Sequence, residues 1–200
     1  MEAIRGKTSY TLDFPGFKNH LTNYTRILLD LGTGDGRYVR FLADRNPHCF
    51  FIGLDSCREN LREHSRLKSA NALFVIAGAQ ELPREFNGLI SHITINFPWG
   101  SLLKSLLEGE AALMDGLRSI AKQSAQIEIL LNSGALLEAG ADLNAGARRI
   151  YENLTQHGWN VKHPTSLSDR ELRNIPTTWA KRLAYGRDPR AIALSGRFDA

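Results

Sequence analysis

The sequence predicts an α/β fold in which a mostly parallel, seven-stranded sheet carries helices on both faces. Apolar, β-branched runs bounded by turn residues alternate with segments of helical spacing and mixed charge. This alternation is typical of parallel sheets, because a crossover helix returns the chain between strands that run in the same direction. The 200 residues are 42% hydrophobic and contain no repeat or long linker. We therefore expect a single domain over residues 1–200.

Five apolar runs predict the parallel strands in chain order. They are Ile27–Leu31, Cys49–Leu54, Leu73–Ala77, His92–Asn96 and Gln126–Leu131. Four segments of helical spacing lie between them, at Arg37–Arg45, Cys57–Lys68, Ser101–Leu107 and Ala111–Lys122. The remaining elements are a longer helix, a short strand and a final apolar strand, at Asn144–His157, Trp159–Lys162 and Ala191–Ser195.

Composition restricts the class of protein and of partner. No apolar run is long enough to span a bilayer, and the start of the chain lacks the order of a signal peptide, so we expect a cytoplasmic protein. Cys49 and Cys57 have the spacing of neither a zinc site nor a disulfide scaffold, and no metal site is expected. The net charge is +4, and residues 148–190 hold nine Lys or Arg against four acids. A polyanionic partner would bind this C-terminal third.

The strongest local signal is the glycine-rich turn after the first predicted strand, DLGTGDG at Asp30 to Gly36. Such a turn lets a ligand approach the backbone closely. The dinucleotide-binding form is spaced GxGxxG and holds a pyrophosphate at a helix N-terminus. Here the spacing is GxGxG, and carboxylates at Asp30 and Asp35 would repel a pyrophosphate. The pattern favours S-adenosylmethionine, which carries an ammonium and a sulfonium, and a Rossmann-like class I methyltransferase fold. The alternatives are a nicotinamide dinucleotide and a tight turn that binds no ligand.

Two further segments fit the adenosine part of such a cofactor. Asp55 ends the second predicted strand, where an acid can accept hydrogen bonds from both ribose hydroxyls, as it also does for NAD. The segment AGAQELP at Ala77 to Pro83 follows the third strand and would border the adenine in this fold. A backbone amide together with Gln80 or Glu81 could read the edge of the ring; an ordinary helical turn is the alternative.

The fourth predicted strand ends at NFPWGSLL, residues Asn96 to Leu103. Enzymes that methylate amines place a proline and an aromatic residue here, where the aromatic ring stacks on the target base. Packing at the rim of the core is the other interpretation of Trp99. A second tryptophan, Trp179, stands among basic residues in TTWAKRLAYGR at 177–187.

With both tryptophans, the chain resembles the aminoglycoside-resistance methyltransferases of the kanamycin-apramycin type, which modify N1 of a decoding-site adenine in 16S ribosomal RNA. The resemblance covers nearly the whole chain. Two of its motifs are general for the fold and two are specific: LDLGTGDGR at 29–37 and FFIGLD at 50–55, then FPWGSLL at 97–103 and WAKRLAYGR at 179–187. It implies an enzyme that uses S-adenosylmethionine, acts on the assembled small ribosomal subunit and confers aminoglycoside resistance. We expect the protein to be a monomer.

The resemblance also implies roles for individual residues. Trp99 and Trp179, beside Pro98, would hold the flipped adenine between two aromatic faces and offset the cost of unstacking it. Contacts to the cofactor are expected from Asp30, Gly32, Thr33, Gly34, Asp55, Ala79, Gln80, Asn96 and Thr177. Contacts to ribosomal RNA are expected from Arg66, Lys68, Lys181, Arg182, Arg187 and Arg190.

Three features depart from the family pattern. Gln80 stands where the family usually has Glu, which keeps a hydrogen-bonding group but removes a charge. Asn96 replaces an apolar residue before Phe97. The segment from Arg58 to Asn71 is shorter than the Lys- and Gly-rich linker of the family.

Adenine N1 is a neutral nucleophile with an in-plane lone pair, so no general base is assigned and the task of the enzyme is alignment. The cationic product between two indoles would gain about 0.5 to 2 kcal/mol. Two other functions stay open. One is another RNA methyltransferase of this fold, such as one acting on guanine N7 of transfer RNA, against which Trp179 argues. The other is a catalytically silent RNA-binding module, against which the intact glycine turn and Asp55 argue.

Overall fold

The computed structural model describes residues 1–186 and 188–199, and the ten strands of this part form one sheet. The strands are β1 (Glu2–Arg5), β2 (Thr8–Thr11), β3 (Arg26–Leu31), β4 (Cys49–Asp55), β5 (Ala72–Ile76), β6 (Ile90–Asn96), β7 (Ala121–Asn132), β8 (Trp159–Val161), β9 (Thr165–Ser166) and β10 (Ala191–Phe198). Their order is β2-β1-β5-β4-β3-β6-β7-β10-β8, and β9 pairs with β10. The five central strands, β5-β4-β3-β6-β7, are parallel to one another, and β10 is antiparallel to β7.

Nine α-helices occur in the described residues. They are α1 (Phe14–Leu21), α2 (Arg37–Arg45), α3 (Arg58–Ser65), α4 (Gly100–Glu108), α5 (Ala111–Ile120), α6 (Ser133–Glu138), α7 (Leu143–Gln156), α8 (Asp169–Asn174) and α9 (Thr178–Gly186). None of these helices is long and apolar enough to cross a membrane.

All seven predicted strands are present, as β3 to β8 and β10. The prediction of a seven-stranded sheet was too small, because the sheet of the described residues also contains β1, β2 and β9, all paired antiparallel. Two predicted helices are too long. The helix predicted to reach Lys122 ends at Ile120, because Ala121 adopts an extended conformation and begins β7 by pairing with Ile90. The helix predicted over 57–68 covers only Arg58–Ser65.

Apolar side chains cover both faces of the central strands. In β3 the side chains of Ile27, Leu29 and Leu31 are buried in the largest core cluster. Leu28 packs against a second cluster, in which Phe51 of β4 meets apolar side chains of α2 and α3. Burial on both faces explains why the central strands read as continuous apolar runs.

The parallel strands end at one edge of the sheet, and this edge positions the functional residues. The strand order reverses between β3 and β6, and ligands of open α/β sheets bind outside the carboxyl ends at such a reversal. Asp30 pairs in register with Gly53 of β4 and Thr94 of β6. The loops that follow β3, β4 and β6 therefore face one another.

Candidate active site

A cavity of about 480 Å³ opens at the carboxyl ends of β3, β4, β5 and β6. All nine residues predicted to contact a cofactor line it, together with Pro98, Trp99 and Trp179. Sequence reasoning missed other lining residues, among them Tyr38, Asn60, Ser101 and Thr178. Thr178 is adjacent to a predicted position, whereas Tyr38 and Asn60 lie in the first turns of α2 and α3 and carry no motif.

Two glycines of the turn after β3 have different roles, one in packing and one in access to the cavity. Gly34 and Gly36 both have positive φ angles, 59° and 77°. A Cβ at Gly36 would lie 2.4 Å from Cε1 of Phe74, so this glycine is required by helix–strand packing. A Cβ at Gly34 would meet no atom within 4 Å. Gly34 therefore offers open backbone to a ligand, as the GxGxG spacing predicts.

Asp30 is a buried carboxylate, only 5% exposed, at the end of β3. Its Oδ1 accepts hydrogen bonds from Thr94 Oγ1 at 2.7 Å and from Asn96 Nδ2 at 2.8 Å. Burial raises the pKa of Asp30 from 3.8 to about 6, although these hydrogen bonds oppose the rise. A desolvated carboxylate beside a cavity is stabilised by a cationic ligand group, so Asp30 fits the ammonium of S-adenosylmethionine.

Asn96 replaces an apolar residue of the family pattern, and its bond to Asp30 gives this departure a structural role in addition to the expected cofactor contact. The side-chain amide donates to the carboxylate, so Asn96 helps to fix the orientation of Asp30. Because the two residues are on different strands, this contact is not visible in local sequence.

Asp55 is fixed by two backbone N–H groups. Oδ2 accepts from Gly34 N and Oδ1 from Cys57 N, each at 2.8 Å. The first bond links the carboxyl end of β4 to the glycine turn. Each carboxylate oxygen keeps a lone pair for a further donor, so the arrangement suits a vicinal diol such as that of a ribose.

The two predicted base-stacking residues meet at the other end of the cavity. The indoles of Trp99 and Trp179 lie nearly parallel, at 13°, with centroids 5.4 Å apart. Trp99 is 38% exposed, and its Nε1 donates to Glu138 Oε1. A purine between two rings needs about 7 Å, twice a van der Waals spacing. The rings therefore stack on each other here and must separate before a base can enter.

A strained turn places Trp99 at the cavity. Phe97 has a φ of 53°, which is rare for a residue with a side chain, and its ring is 2% exposed. Its N–H donates to Leu130 O on β7. Strain of this kind persists only where the surrounding structure enforces it, and it occurs often at functional sites.

Trp179 is joined to the glycine turn through its own helix. Thr178 Oγ1 donates to Asp35 Oδ2 at 2.9 Å, across 143 residues of sequence. Thr177, which is buried, accepts from Ala180 N and so caps α9. Helix α9 and the turn after β3 therefore contact each other directly.

The predicted RNA-binding residues occupy two separate regions. Lys181 and Arg182 are exposed on α9, and the Arg182 guanidinium lies 5.3 Å from the centre of the Trp179 ring. Arg66 and Lys68 are exposed before β5, at the opposite edge of the sheet from the cavity. Arg190 forms a bidentate ion pair with Asp188, which compensates its charge locally. The predicted contact at Arg187 lies outside the described residues.

A protein-family model described as NpmA, 16S rRNA (adenine(1408)-N(1))-methyltransferase, matches residues 2–198. The chain belongs to this family.

Individual relatives align over 98% or more of the chain. An Escherichia coli protein of that name is 28% identical over 214 residues, covering 98% of each chain. The crystal structure of the antibiotic-resistance methyltransferase Kmr is 30% identical, covers 100% of this chain and 99% of its own, and superposes with a TM-score of 0.79. A family member from Catenulisporales acidiphilia, solved with its cosubstrate SAM, is 24% identical with a TM-score of 0.87, covers 100% and 97% of the two chains, and shows the shared fold.

Proposed function

We propose that this protein transfers a methyl group from S-adenosylmethionine to N1 of adenine 1408 in 16S ribosomal RNA and so confers aminoglycoside resistance. The match of the family model to residues 2–198 carries this proposal. It is supported by the cavity, which brings the buried Asp30, the open Gly34 backbone and the Trp99–Trp179 pair together in one site. We further propose that the enzyme acts as a cytoplasmic monomer on the assembled small subunit.

The cofactor would lie along the edge of the sheet. Its ammonium would pair with Asp30 at the end of β3, its ribose hydroxyls would donate to Asp55 at the end of β4, and its adenine would border Ala79 and Gln80 after β5. When bound, S-adenosylmethionine supplies an electrophilic methyl on a sulfonium. Pro98 and Trp99, which line the same cavity after the end of β6, would then stand at the methyl-donor end of the site.

The residues of the chain then align the target base. Trp99 and Trp179 would hold the flipped adenine between their faces and fix the plane in which the N1 lone pair lies. N1 needs no deprotonation, so no residue is required as a general base. Methylation makes the purine cationic, and the two indole faces stabilise that charge by about 0.5 to 2 kcal/mol.

Primer extension on 16S ribosomal RNA from cells that express the chain tests this function. An N1-methyl group blocks Watson–Crick pairing, so reverse transcription is expected to stop immediately before adenine 1408. Cells that express an Asp30→Asn variant serve as the inactive control. Full-length extension through this adenine in both samples would contradict the proposal, and a stop at another nucleotide would place the protein among other RNA methyltransferases of this fold.

Lys181 is expected to contact RNA phosphate, because it is exposed beside Trp179 on α9. Each phosphate contact contributes about one unit to the slope of log affinity against log salt, so Lys181→Ala should reduce that slope by about one. The measurement is binding to purified small subunits over a range of salt concentrations. Lys122→Ala, an exposed lysine at the start of β7, is the matched control and should keep the parental slope. Equal slopes for both variants would remove Lys181 from the interface.

A further inference from the structure

A hydrogen-bonded chain leads from the cavity into helix α4. Nε2 of Gln80, which lines the cavity, donates to Ser105 Oγ at 2.8 Å. Ser105 is 2% exposed, and its hydroxyl donates in turn to Glu110 Oε2. Glu110 is also held by its own backbone, since its N–H donates to Ser105 O at 3.0 Å. Two side chains outside the cavity therefore control the side chain of Gln80.

The carboxylate of Glu110 fixes the direction of both hydrogen bonds between Gln80, Ser105 and Glu110. An ionised carboxylate only accepts hydrogen bonds, so Glu110 takes the single proton of the Ser105 hydroxyl. The Ser105 oxygen is then left as an acceptor, which the Nε2 group of Gln80 satisfies. The carbonyl oxygen of Gln80 must consequently face away from Ser105. It lies beside Gly78 in the cavity wall, 3.6 Å from where a Cβ of that glycine would stand.

Two neighbouring residues that line the cavity after Gly78 thus carry an acceptor and a donor. The acceptor is Gln80 Oε1. The donor is the N–H of Ala79, for which no described residue supplies an acceptor. The Watson–Crick edge of adenine has the complementary order, a donor at the N6 amine beside an acceptor at N1.

We propose that Ser105 and Glu110 are positioning residues that make this site selective for the adenine of the cofactor, by holding the Gln80 carbonyl toward the exocyclic amine. The inference rests on the proposed function, since it takes the adenine of S-adenosylmethionine to border Gln80. A second carboxylate at residue 80 would compete with Glu110 for the one proton of Ser105.

The experiment compares two ligands by calorimetry, S-adenosylhomocysteine and its deaminated analogue S-inosylhomocysteine. The inosine base carries a carbonyl in place of the amine and an N–H in place of N1, which reverses both hydrogen bonds. The parental protein should therefore prefer the adenosyl ligand by about 10- to 100-fold or more. Glu110→Gln is the decisive variant because glutamine is isosteric with glutamate and can donate a hydrogen bond to Ser105. The Ser105 hydroxyl is then free to donate to Gln80, and the Gln80 side-chain amide can flip by about 180°.

In Glu110→Gln we expect the adenosyl preference to fall by about tenfold or more, partly through tighter binding of the inosyl ligand. A merely structural role would weaken both ligands equally and leave their ratio unchanged. Glu108→Gln, an exposed residue that pairs with Lys104 on the same helix, is the matched control and should keep the parental ratio. Ser105→Ala removes the hydroxyl that links Gln80 to Glu110, and it should also lower the ratio of adenosyl to inosyl affinity.

The outcomes separate this inference from the proposed function. If the parental protein binds the adenosyl ligand and Glu110→Gln keeps the parental ratio, the positioning role is refuted and the proposed function stands. If the parental protein binds neither ligand, both are refuted. A lowered ratio in Glu110→Gln and Ser105→Ala with an unchanged ratio in Glu108→Gln supports the inference.

Discussion

Replacing Asp30 with Asn is expected to raise the melting temperature of the ligand-free protein while reducing its affinity for S-adenosylmethionine by about 100-fold or more. The buried carboxylate has a pKa raised to about 6, so at pH 7 the folded protein carries an unpaired buried charge. A shift of this size corresponds to a cost of about 3 kcal/mol. Asn keeps an oxygen that can accept from Thr94 and Asn96 but removes the charge that the cofactor ammonium requires.

The pH dependence has opposite signs for stability and for binding. Because the folded pKa of Asp30 lies above its unfolded value, the stabilising contribution of the protonated form is present below about pH 4 and is lost as the pH rises through about 6. Binding of the cofactor needs the carboxylate, so the affinity of the parental protein should fall below about pH 6. Calorimetry and thermal melts from pH 5 to 8 measure both effects.

Asp44→Asn is the control for these measurements, since Asp44 pairs with Arg40 on α2 outside the cavity. It should alter neither the affinity nor its pH dependence. An Asp30→Asn protein that melts below the parent, or that binds the cofactor as tightly, would show that the burial of Asp30 has another purpose.

Ala at Trp99 or Trp179 is expected to slow methylation of small subunits by about one to two decades, because one stacking face is worth about 1 to 3 kcal/mol. The stability cost should be small for Trp99, which is 38% exposed. It should be larger for Trp179, which packs beside Phe97 and Leu183. Rates of methyl transfer and thermal melts of each variant measure the two effects, and Phe at either position should restore most of the rate.

Trp159 provides the matched control, since this third tryptophan is 1% exposed in the main core. Its replacement by Ala should cost about 3 to 5 kcal/mol of stability, as buried aromatic residues do. If Trp99→Ala melts as low as Trp159→Ala, or methylates at the parental rate, Trp99 is not a base-stacking residue.

The parallel core could be predicted from the sequence because each of its strands is marked by the residues of that strand alone. Each strand from β3 to β7 is a separate apolar run, and the glycine turn and Asp55 follow their strands directly. The predicted site residues needed no knowledge of packing, since the carboxyl ends of parallel strands meet at one edge. For the same reason eight of the nine predicted cofactor positions, which lie at or after the ends of β3 to β6, line one cavity. The ninth, Thr177, precedes α9 and was expected only from the family resemblance.

Elements that depend on distant partners were not predicted. The β1–β2 hairpin is short and polar at Thr8–Thr11, and it is held by pairing with β5. The role of Asn96 depends on Asp30, 66 residues away. Helix α8 is different, because its capping box of Ser168 and Glu171 is a signal that sequence reasoning could have used.

The mutual stacking of Trp99 and Trp179 has a consequence for encounters with nucleic acid in a cell. Single-stranded RNA is abundant in cells, and two separated indole faces would stack on any accessible base. In the resting protein each ring already occupies one face of the other. A stray nucleotide must separate the rings unaided, at a cost of about 0.5 to 1.5 kcal/mol. A base in an RNA that already contacts Lys181 and Arg182 on α9 would have other contacts to offset that cost, so we expect the stacked rings to disfavour the binding of unrelated bases.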